Sequence, residues 1–202
     1  MRLKIEELIK ESKYILLDKV NMKDNSTFIS KYFRKFTLVT FCVTLLMMVS
    51  FYFMLTNIHS VNLSMFKIMK TLIACTFTAI GFIPVKKLIQ CSLYRLFGAK
   101  DIRFYRHFKR LFFSPVADNF VLCGKEYTII LLAPIFTLFL IALCFSLSFP
   151  NHHAYGLLML LLSVLINKKE MALLNYLWLN KEYSLFIYSD TYKNKSYFYA
   201  CL

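Results

Sequence analysis

Three charged side chains stand where long apolar runs end: Lys86, Lys87 and Glu170. In a chain this apolar such positions are the usual pointers to function, because a charge at membrane depth is costly unless it is paired. The other chemistry-bearing residues offer less. Six cysteines, Cys42, Cys75, Cys91, Cys123, Cys144 and Cys201, include no CxxC pair, so neither a zinc knuckle nor a redox motif is supported. They read as small buried hydrophobes. His152 and His153 are adjacent, point in different directions and lack acidic or cysteine neighbours, whereas a dedicated metal site needs three or four converging ligands. His59 and His107 are isolated and read as surface residues. No Ser/His/Asp set is recognisable, and four scattered glycines cannot form a phosphate loop.

The elements that must carry these residues follow from composition. Of 202 residues, 58% are hydrophobic and 18% charged, against about 45–50% and about 25% in an average soluble domain. With four Gly and four Pro the apolar runs are seldom interrupted. The fold expected is all-α: a polytopic integral membrane protein with about four transmembrane helices. Residues 1–35 form a cytoplasmic head, with Leu3, Ile5, Leu8, Ile9, Ile15 and Leu16 spaced for an amphipathic helix. Residues 36–170 form the membrane domain, with spans at about 36–56, 71–97, 128–150 and 154–167 and a basic cytoplasmic loop at 99–126. Residues 171–202 form a cytoplasmic tail. Pro84 and Gly98 predict a kink and a C-terminal stop in the second helix. No cleavable signal peptide is expected.

The formal charge is +14, from 25 Lys+Arg against 11 Asp+Glu. These charges cluster between apolar runs instead of forming one basic face. That distribution favours an anionic inner leaflet as partner over nucleic acid. Nine basic residues lie in the head, nine between the second and third runs, five from Lys168 onward and none in the His152-His153 turn. The alternation places both termini in the cytoplasm of a multi-pass protein of the cell membrane.

Lys86-Lys87-Leu88-Ile89-Gln90 is followed by Leu96-Phe97-Gly98, then by Leu132-Ala133-Pro134, Asn167 with Glu170, and Asp190-Thr191. In order and spacing this series resembles the membrane zincin peptidases, a family of small four-span proteins known as a domain of unknown function and similar to the site-2 type intramembrane proteases. The likeness covers roughly Thr71 to Phe198. It implies that Lys86, Lys87 and Gln90 occupy the places of His, Glu and His in a degenerate His-Glu-x-x-His motif, with Glu170 in the place of an acidic ligand. In such a motif two His at i and i+4 bind zinc and the Glu activates water. A Lys ammonium has no lone pair for zinc, Gln is a poor ligand, and the general base is missing. The residues therefore predict no metal, no cofactor and no peptidase activity. Either Lys86 or Lys87 pairs with Glu170 in place of the metal, or both lysines reach lipid phosphates while Glu170 faces water. The function expected is that of a catalytically inactive relative binding a partner protein or transmembrane helix. The alternatives are an active peptidase with unconventional ligands and an accessory or immunity-type membrane protein.

Overall fold

The computed structural model describes residues 5–22, 25–60, 65–106, 113–148, 155, 158–159, 162, 164 and 166–201. Its described elements run in the order α1 (Ile5–Lys10), β1 (Tyr14–Asn21), α2 (Ser26–Phe33), α3 (Leu38–Ser60), α4 (Met65–Leu96), β2 (Ile102–Arg106), β3 (Phe113–Ala117), β4 (Leu122–Cys123), α5 (Gly124–Ser148), α6 (Lys168–Leu179), β5 (Ser184–Asp190) and β6 (Lys195–Cys201). The fold is therefore mixed α/β, not the all-α bundle that composition predicts. A four-stranded antiparallel sheet in the order β1-β6-β5-β4 and a two-stranded β2-β3 hairpin accompany six helices. Whole-chain hydrophobicity misleads here because it is dominated by the long helices, while the strands are shorter and scattered over three separate stretches of the chain.

The sheet is closed by sequence-distant pairing. Tyr14 lies opposite Cys201 and Asn21 opposite Lys195, with a register shift between Leu16 and Asp18. β5 and β6 form a hairpin from Ser184↔Cys201 to Asp190↔Lys195, and its turn uses Asn194 at φ 55°. Asn tolerates this left-handed conformation better than most residues. Ile15 and Leu16 thus belong to a strand, not to the amphipathic helix expected across the head. β4 pairs Leu122 with Ile187 and turns directly into α5 at Gly124. A Cβ at Gly124 would lie 3.2 Å from Leu185 Cβ, so this close helix–sheet approach favours glycine.

The long helices form where apolar runs predict them. α4 continues unbroken through Pro84 and ends as expected at Gly98, whose φ is 85°. Gly98 N–H donates to Arg95 C=O and Ala99 N–H to Tyr94 C=O, the two bonds of a Schellman stop. Among the described residues two helical segments are long and apolar enough to cross a membrane, Leu72–Leu96 and Gly124–Cys144, with mean hydropathy 1.7 and 2.5. About four spans are expected from the sequence, against these two candidates. Half of the fourth expected span, 154–167, lies outside the described residues, as do His107, His152 and His153. The segment read as a tail forms the centre of the molecule. α6 is buried continuously from Glu170 to Leu177, between α2, α5 and the sheet. Tyr176 and Phe198 meet at 4.9 Å, and Tyr32 and Tyr176 at 5.0 Å, both edge-on.

Candidate functional site: a buried ion pair beside a polar cavity

Helical geometry sets the first half of the site. Lys86 and Gln90 are four residues apart on α4 and share one face. Both are buried, at 3% and 5% exposure. α6 supplies the other half from its first turn. Packing of Ala172, Leu173, Leu174, Tyr176 and Leu177 fixes this helix and carries Glu170 into the interior at 5% exposure.

The two halves meet in an ion pair. Lys86 Nζ lies 2.9 Å from Glu170 Oε2. Glu170 Oε2 meets no donor in hydrogen-bond geometry among the described residues, so the contact is close but poorly directed. Of the two sequence alternatives, pairing is the one observed, and Lys86 is the partner. Lys87 turns instead to Gln90, its Nζ donating to Oε1 over 3.4 Å. Burial raises the Glu170 carboxyl, but the ammonium groups of Lys86 and Lys87 outweigh it and hold the group below its ordinary value. Glu170 is therefore a carboxylate at neutral pH. Taking both charges out of water costs several kcal/mol each, recovered only through their mutual attraction, so loss of one partner is far more damaging than loss of both.

The pair borders a cleft with about 70 Å³ of free volume. α4 contributes Lys87, Gln90 and Tyr94; α5 contributes Tyr127 and Leu131; α6 contributes Lys169 and Glu170. The remaining walls come from elements that sequence reading missed: Met22 and Asn25 after β1, Ser114 on β3, and Ser189 and Ser196 on the β5–β6 hairpin. Ser189 and Ser196 share a hydroxyl–hydroxyl bond of 2.9 Å. Tyr94 had a signal in the sequence, standing one turn beyond Gln90 on the same face. The sheet residues had none, because only long-range pairing brings them here.

Other sequence candidates lie elsewhere. Asp190 pairs with Lys193 within its hairpin, and Thr191 N–H donates to Asp118 Oδ1 at 2.9 Å. Asp118, in turn, meets Arg103 at 3.3 Å, tying the β2-β3 hairpin to the sheet. Cys75 is buried as expected, whereas Cys42 and Cys144 are exposed, and none of the six cysteines is joined in a disulfide. A second, almost wholly apolar groove of about 270 Å³ runs between α3 and α5, lined by Cys42, Val43, Leu132, Phe136, Phe139 and Met171.

The donor set does not suit zinc. An ammonium occupies the first position and already contacts the one carboxylate, and a carboxamide occupies the third. Among the described residues no three His, Cys, Asp or Glu side chains converge. The chain matches no protein-family model, no curated protein and no solved structure.

Proposed function

We propose that the chain is a catalytically inactive, zincin-peptidase-like integral membrane protein that binds a partner protein or transmembrane helix. The observation that carries this reading is the Lys86–Glu170 ion pair. It lies where the sequence resemblance places a metal and unites the degenerate motif on α4 with the acidic position on α6. An ammonium there supplies positive charge without a Lewis acid, and no carboxylate in the motif is positioned to activate water.

The membrane setting rests on the apolar faces of the long helices. Phe41, Leu45 and Met48 on α3, Phe77 and Ile80 on α4, and Phe136 and Ile141 on α5 are each at least 49% exposed. Apolar faces this extensive belong against lipid or another helix. The sheet pairs β1 with β6, so residues near both ends of the chain share one side of the bilayer. The basic balance makes that side the cytoplasm and the anionic inner leaflet its lipid partner. The apolar groove between α3 and α5 is the surface offered to a partner helix.

Metal analysis of the purified full chain tests the inactive reading. The expected result is no stoichiometric zinc; one zinc per chain, lost in Glu170→Ala, would instead establish a metallopeptidase-type centre. The partner half is tested by disulfide trapping in nanodiscs with a cysteine-bearing transmembrane peptide. Cys42 lines the groove and Cys144, also exposed, does not. Preferential trapping at Cys42, abolished by Phe136→Trp, is expected. Equal trapping at both cysteines would remove the groove as a helix site.

A further inference from the structure

Along one face of α6 the surroundings change turn by turn from apolar to polar. Met171, Asn175 and Trp178 follow at i, i+4 and i+7, so they share that face. Met171 lines the apolar groove with Cys42 and Val43 of α3 and Leu132 and Phe136 of α5. One turn on, Asn175 is hydrogen-bonded to Thr37 and Thr40, where α3 begins. A further turn brings Trp178, the one tryptophan of the chain, at 37% exposure, with Leu179 after it at 43%. Lys181 Nζ stands over the indole, 4.7 Å from the ring centroid. At a rise of about 1.5 Å per residue, Met171 and Trp178 are about 10 Å apart along the helix axis.

The partners of this face set its depth. α3 carries no Lys, Arg, Asp or Glu from Leu38 to Ser60, while Lys31, Arg34 and Lys35 stand just before it. In a membrane the boundary between hydrocarbon and headgroups then falls close to Thr37. Phe36 stands at this boundary and is 79% exposed. Met171, against Cys42 and Val43, lies on the hydrocarbon side; Asn175 lies at the boundary; Trp178 lies one turn beyond it, on the headgroup side. An indole joins a broad apolar body to a single N–H donor, which suits a layer that is oily on one side and wet on the other. The Lys181 stem follows the ring, and its ammonium complements lipid phosphate.

We propose that Trp178 and Lys181 form an interfacial anchor that seats the C-terminal end of α6 in the headgroup layer of the inner leaflet. The indole lies at the glycerol level and the ammonium reaches the phosphates. The inference rests on the membrane reading above and adds to it a fixed depth for α6, the helix that carries Glu170.

Trp178 is its own probe, so the wild-type chain is tested first. The full chain is placed in phosphatidylcholine nanodiscs whose lipid is brominated either near the headgroup end of the acyl chain or near its methyl end, and tryptophan emission is recorded. Acrylamide serves as the quencher from water. The expected result is a shallow-to-deep quenching ratio above one. A ratio below one would place the ring in the hydrocarbon, quenching by acrylamide alone would place it in water, and protection from all three quenchers would place it under protein; each overturns the anchor. The double variant Trp178→Phe/Phe77→Trp moves the probe to a 72% exposed position within the candidate span Leu72–Leu96. It should give a ratio below one. If Phe77→Trp is also silent to both brominated lipids, the membrane reading itself fails; if it responds and Trp178 does not, the anchor alone fails. Adding phosphatidylglycerol should raise the ratio at Trp178, and Lys181→Met should shrink that rise. An equal rise in Lys181→Met removes Lys181 from the anchor.

Discussion

At the residue scale, the Lys86–Glu170 pair governs what this chain can do and how it responds to substitution. Lys86→Met or Glu170→Gln alone leaves its partner buried without its counter-charge at contact distance, and each is expected to cost about 3–5 kcal/mol in detergent unfolding. The double variant Lys86→Met/Glu170→Gln should recover most of that loss, and a purely additive cycle would show that the two groups are not coupled. Acid sensitivity follows from the same pair. The Glu170 carboxyl titrates below its ordinary value in the folded chain. Its contribution is therefore present above the unfolded value of about 4.3 and is lost as pH falls through the lower folded value. A thermal-melt series should show wild type losing stability in that acid window, with Glu170→Gln flat across it relative to neutral pH.

At the element scale, α6 is the piece on which the site depends, and a buried amide holds it in place. Asn175 is 2% exposed. Its Nδ2 donates to Tyr32 C=O at 3.0 Å and Thr40 Oγ1 at 2.8 Å, while Thr37 Oγ1 donates to its Oδ1 at 2.6 Å. One side chain thus joins the end of α2 and the start of α3 to α6. Asn175→Leu leaves these groups unsatisfied and is expected to cost about 1–3 kcal/mol for each one orphaned. An unchanged unfolding midpoint would show that water replaces the amide freely. The segment carrying α6 reads as a tail because its apolar residues are interrupted by Asn175 and its neighbours are polar and aromatic. Burial of Asn175 is intelligible only once its three partners are in place.

At the scale of the whole molecule, the sheet constrains how the chain sits in a bilayer under the membrane reading proposed above. Lys10 ends α1 just before β1, and Lys193 lies in the turn before β6. Because β1 and β6 pair, single cysteines at these positions, in a background with the six native cysteines replaced, must respond alike. Neither Lys10→Cys nor Lys193→Cys should react with an impermeant maleimide on intact cells, and both should react in inverted vesicles. Labelling of one but not the other from a given side would be incompatible with the observed strand pairing in the membrane.

The sequence by itself determined the long apolar helices and the Gly98 stop. It also singled out Lys86, Lys87 and Glu170 as charges at the ends of apolar runs, and Gln90 through the resemblance to a degenerate metal motif. The tertiary structure decided that Lys86 and not Lys87 takes the carboxylate, that α6 is core, and that a four-stranded sheet exists. Each of these depends on contacts across more than eighty residues, from Lys86 to Glu170 and from Tyr14 to Cys201. No short-range pattern encodes such contacts. The β5–β6 hairpin is local, but β1 and β4 pair with it only when the helices between have brought these distant segments together.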